Sequence, residues 1–170
     1  MFDTGEFMSM KRHLWSLFSA MWACAFSAQA QVDKVAIRTT GVSCGSCAVF
    51  SEIYLRQLSG IDTIKISLSR EAVLITYKPG AAFRPKELRE ALRKTDVGVV
   101  QIQIGARGHL ERRRDGATLV AGQTRLNIQS APAGLPIPPD VPIEVEGILN
   151  DLTNPMELRV LTFRPVTATQ

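Results

Sequence analysis

Between Val32 and Ile104 the spacing of apolar residues switches back and forth between two and about 3.6, and few folds satisfy that order. Residues 32–40 alternate, with Val35 and Ile37 on one face and Lys34, Ala36 and Arg38 on the other, which predicts a strand. Residues 47–58 predict a helix ended by Ser59-Gly60. Its first apolar face is Ala48, Ser51, Leu55 and Leu58. A second patch, Phe50, Ile53 and Tyr54, either widens that stripe or meets the C-terminal half or a partner. Residues 61–68 and 72–77 alternate around Ser69-Arg70-Glu71 and predict a hairpin, broken off by Lys78-Pro79-Gly80. Pro85 opens a second helix, with Leu88, Ala91, Leu92 and Thr95 at i, i+3, i+4, i+7 spacing, stopped by Asp96-Val97-Gly98. Residues 99–104 predict a fourth strand. The order β-α-β-β-α-β folds as a four-stranded antiparallel sheet with both helices on one face, an α+β, ferredoxin-like sandwich.

Where the first strand gives way to the first helix stands Gly41-Val42-Ser43-Cys44-Gly45-Ser46-Cys47. A helix N-terminus offers unpaired N–H groups and a favourable field for negative charge. Thiolates bind soft metals and attack disulfides, and such a position favours the thiolate. Cys44 and Cys47 are therefore candidate soft-metal ligands first and a redox couple second.

These residues resemble the heavy-metal-associated domain family, which includes copper chaperones, the N-terminal modules of copper-transporting ATPases and periplasmic mercury-binding proteins. The family loop is Gly-Met-x-Cys-x-x-Cys. Glu52, Leu55, Leu58, Gly60 and Ile61 resemble the family's Glu, two Leu and Gly-Val turn, and Tyr77-Lys78-Pro79 its Tyr-x-Pro step. The resemblance covers about residues 32–105. It implies that Cys44 and Cys47 hold Cu(I), Hg(II) or a similar thiophilic ion between two thiolates, with Zn(II) ranked behind them. It also implies a membrane metal transporter or another envelope protein as partner. Three positions depart from the family: Val42 replaces the Met beneath the loop, Ser51 replaces a buried apolar residue, and Asp96-Val97-Gly98 replaces a Gly-aromatic pair. The topology puts residues 96–98 and 69–71 at the metal end and His109 at the far end.

The first thirty residues read as an address. Lys11-Arg12-His13 precede a short apolar stretch over residues 14–26, and Ala28-Gln29-Ala30 is a small-x-small cleavage pattern. Residues 1–30 are predicted to be a signal peptide cut after Ala30, which implies a periplasmic or secreted protein with no permanent membrane span. Of the three cysteines and two histidines, the cut chain keeps Cys44, Cys47 and His109, with Met156 as its single Met. One close Cys pair is not a disulfide framework.

After Gly105 the texture is short strands without helices: residues 109–114, 117–122, 126–129, 141–149 and 158–163, interrupted by Pro132, Pro136, Pro138, Pro139 and Pro142. Residues 31–106 are thus expected to form the ferredoxin-like domain. Residues 107–170 are expected to form a small all-β domain, a barrel or sandwich with OB-like pieces. Its aromatic content after Phe83 is Phe163 alone, which with export excludes a nucleic-acid role. The net charge of +4 is mild, and no phosphate loop or nucleophile elbow is present. The expected function is non-catalytic: an exported soft-metal carrier, chaperone or sensor module. The alternatives are an interaction scaffold with an inert disulfide and a thiol–disulfide redox protein.

Overall fold

A computed structural model describes residues 30–114, 116–131 and 141–166. The expected signal segment up to Gln29 and the prolines 132–139 lie outside the described residues. Strand β1 (Gln31–Thr40) is followed by helix α1 (Gly45–Arg56), β2 (Ile61–Ser67), β3 (Ala72–Tyr77), α2 (Pro85–Arg93) and β4 (Gly98–Arg113). These give the expected antiparallel order β2-β3-β1-β4. Val35, Ile37, Val73 and Ile75 are fully buried on the face that also covers Leu55 of α1 and Leu88 and Leu92 of α2. Lys34, Ala36 and Arg38 are exposed on the other face.

The structure corrects the fourth strand. The expected pieces 99–104 and 109–114 are one continuous strand, β4. Residues 102–107 of β4 pair with β1 and also with β7 (Ile143–Asn150), so they use both strand edges. Beyond residue 108, β4 pairs with β5 (Gly116–Ala121). Gly108 makes the change of neighbour possible: a Cβ there would collide with the Val120 carbonyl oxygen. Strand β6 (Thr124–Ser130) pairs antiparallel with β5 and parallel with β8 (Glu157–Pro165), and β8 pairs with β7. The strands β4, β5, β6, β8 and β7 therefore close into a barrel. Leu110, Leu119, Leu126, Ile143, Val145 and Leu158 fill it, and they belong to the same apolar cluster as the helix–sheet core.

Ion pairs tie the two layers together. Arg89 of α2 donates from Nε and Nη2 to the Asp151 carboxylate at 2.6 and 2.7 Å, with the Asp151 side chain only 1% exposed. That hydrogen bond, before any other influence, raises the Arg89 pKa above its ordinary value. Lys34 of β1 reaches Glu146 of β7 at 2.7 Å, and Arg107 grips Asp33. No described helix is long and apolar enough to cross a membrane.

Candidate metal-binding loop

Helix α1 starts at Gly45 and ends at Arg56, earlier at both ends than the expected 47–58. The start is set by Cys44, which is extended (φ −112°, ψ 148°) and acts as N-cap: its Sγ accepts from the Cys47 backbone N–H at 3.0 Å. The end is tightened by Leu58 N–H donating to the Leu55 carbonyl, an i→i−3 bond that takes the chain out of the α-helix.

Cys44 and Cys47 are brought together as the sequence predicts, and their sulfurs are joined in a disulfide with a Cα–Cα separation of 5.2 Å. Cys44 is exposed and Cys47 half-buried, so the β-rich half does not wall the loop in. Ser46 Oγ lies 3.1 Å from Cys44 Sγ. The first turn of α1 carries no acidic side chain to oppose negative charge on sulfur. Among the described residues no group of three or more His, Cys, Asp and Glu converges anywhere.

The chain just before the sulfurs is anchored in the core. Val42, at the position of the family's Met, is fully buried and belongs to the apolar cluster. Gly41 has φ +88°, a conformation that disfavours any side chain, and a Cβ there would stand 3.1 Å from the Asp96 carbonyl oxygen. Gly98 pairs with Thr40, and the Glu71 carbonyl accepts from both N–H and Oγ1 of Thr39 at 2.8 Å. Residues 96–98 and 69–71 thus border the loop end of the sheet. His109 lies on β4 opposite Val120, beyond the β1 pairing and far from the sulfurs. Met156 is half-buried against the core.

Two features escaped sequence reasoning. Phe50 and Ile53 neither join the buried stripe nor meet the C-terminal half. With Val49 they are 55%, 47% and 57% exposed, because the barrel grows from the distant end of β4. Tyr54 leaves that patch and lies beneath Lys94 Nζ, 5.1 Å from its ring centre. The other is Ser51, fully buried and hydrogen-bonded to Thr95 Oγ1 at 2.8 Å. Its advance signals were a polar residue on an apolar helix face and the departure from the family's buried apolar residue there.

No family model matches the chain. A stretch of 64 residues is 39% identical to copper-transporting ATPase 2 of Mus musculus and 38% identical to that of Homo sapiens. The loop and the β-α-β-β-α-β order stand beside that identity. The chain carries a heavy-metal-associated domain. The match spans 38% of this chain and 4% of the length of those relatives. Among solved structures, the CopZ metallochaperone aligns with a TM-score of 0.37 at 21% identity, over 39% of this chain and 98% of that one. The yeast copper transporter domain CCC2A aligns with a TM-score of 0.34 at 21% identity, over 40% and 94%. The β1 pairing of β4 runs from Gly98 to Arg107 and its barrel pairings from Ile102 to Arg113, so the two overlap.

Proposed function

We propose that this protein is an exported carrier of a soft metal ion, with Cu(I) as cargo and the sulfurs of Cys44 and Cys47 as its two ligands. The observation that carries the reading is the placement of both sulfurs on one exposed, helix-capping turn, close enough to share a single guest. The Cys47 N–H that now points at Cys44 Sγ, and the unopposed end of α1, suit a thiolate. An external dithiol that opens the disulfide is itself oxidised to a disulfide and leaves two protein thiols; each then releases its proton to solvent as its sulfur binds the ion. Thiolate ligands favour Cu(I) and Hg(II) over hard cations, and the copper-transporting relatives favour copper. An exposed loop suits hand-over to a second protein such as an envelope transporter.

Residues 1–30 as signal peptide, residues 31–106 as carrier and residues 107–170 as accessory module complete the reading. We take the barrel as OB-type on its strand order and on the parallel β6–β8 pair. Its scarcity of aromatics favours a protein partner over nucleic acid.

Titration of the reduced protein with Cu(I) against a chromogenic chelator tests the proposal. One tightly held Cu(I) per chain is expected, lost in Cys44→Ser/Cys47→Ser; equal binding by both proteins would refute it. The bonded pair itself favours a second reading, a scaffold whose bridge never opens. Mass spectrometry of thiol-trapped protein from its native compartment separates the two: trapped or metallated sulfurs support the carrier, a permanent bridge the scaffold.

A further inference from the structure

The Ser51–Thr95 contact lies one helical turn below Cys47 on α1, four residues further along the same face. Its direction is fixed by proton counting. Thr95 Oγ1 donates its only proton to the Leu92 carbonyl at 2.8 Å. Ser51 must therefore donate to Thr95, and the two hydroxyls form a directed chain from α1 to the end of α2. Ser51 is 0% exposed, so water offers no substitute partner.

Residues 96–98, directly after Thr95, form the wall of the loop. Asp96 adopts φ +57°, and its carbonyl oxygen stands 3.1 Å from where a Cβ on Gly41 would be. Val97 is buried, as is Val42. One hydrogen-bonded bridge thus links α1, one turn beyond Cys47, to the segment that backs Gly41. An apolar contact at this place would fill the same volume but would not fix the angle between the two segments.

We propose that Ser51 and Thr95 are positioning residues for the metal loop, holding the Cys47 side of the site in register with residues 96–98. This rests on the soft-metal reading of Cys44 and Cys47. Removing the bridge leaves both ligands in place and loosens the frame that presents them.

The experiment uses the reduced full chain in four forms: wild type, Ser51→Ala, Ser51→Thr, and Ser51→Ala/Thr95→Val. The paired variant replaces both partners with apolar groups of similar shape, a change that is nearly neutral for stability. The Leu92 carbonyl keeps the backbone N–H groups of Thr95 and Val97 as donors. Cu(I) affinity and the rate of Cu(I) loss to a chelator are read alongside the thermal midpoint. Ser51→Ala and the paired variant are expected to hold Cu(I) up to about tenfold less tightly and to release it faster, with the paired variant keeping the wild-type midpoint. Ser51→Thr should match wild type in both. A paired variant that holds and releases Cu(I) as wild type does would overturn the proposal and leave the bridge as core filling. Should that variant not fold, wild-type affinity and release in Ser51→Ala would overturn it instead. Wild type binding no better than Cys44→Ser/Cys47→Ser would remove the soft-metal reading, and this proposal with it.

Discussion

Tyr77 ends β3 with 8% of its surface exposed, its ring edge-on to Phe83 at 6.0 Å. Burial, reinforced by the Glu87 charge, pushes its hydroxyl pKa well above the ordinary value of 10.0. Below that value neither folded nor unfolded chain ionises there. As pH rises past it, the unfolded chain loses the proton first, so stability falls toward alkaline pH. The tyrosinate absorbance of Tyr77 is therefore expected to appear only together with loss of the β-sheet circular dichroism signal. Tyr77→Phe should remove that late component; its persistence would contradict the assignment. At this scale the sequence showed the cysteine pair and the alternating core plainly, because each is set by local spacing. It hid Ser51–Thr95 because that bond joins residues brought together only by helix packing. The burial of Val42 was hidden for the same reason: nothing local says that a Val at the family's Met position joins the core.

Among the elements, α2 is held to the barrel by Arg89 and Asp151. Asp151 is almost wholly buried, so Arg89→Ala would leave its carboxylate without its ion-pair partner. Such a loss costs about 3 kcal/mol, measurable as a lower denaturant midpoint. Arg89→Met/Asp151→Leu should recover most of that loss, since an apolar pair removes the stranded charge. If the single and paired variants were equally destabilised, the contact would be packing rather than charge. The six elements of the first layer were readable because each has its own period and its own stop signal. Strand β4 was read as two pieces because Gly105 and Gly108 look like punctuation in a sequence. In the structure Gly108 is where the Val120 backbone comes too close for a side chain.

For the whole molecule, one apolar cluster runs from α1 and α2 through β4 into the barrel, and β4 belongs to both layers. The described chain is expected to unfold in a single transition. Far-UV circular dichroism and fluorescence of an extrinsic label in the barrel should give coincident midpoints. Two separated transitions would show that the barrel and the helix–sheet layer are independent. Sequence texture changes from mixed to all-β near Gly105, a position inside β4. It could not show that the change happens along a strand rather than at a linker, since that depends on which distant segments pair with which edge.

The sixteen residues of β4 would span up to about 50 Å if straight, at roughly 3.3 Å per residue. Because β4 runs unbroken through both layers, a protein that grasps the barrel would also set the direction in which the two sulfurs point. On the proposed carrier reading, recognition at one end would aim delivery at the other without any moving part, as a key's bow sets the angle of its bit.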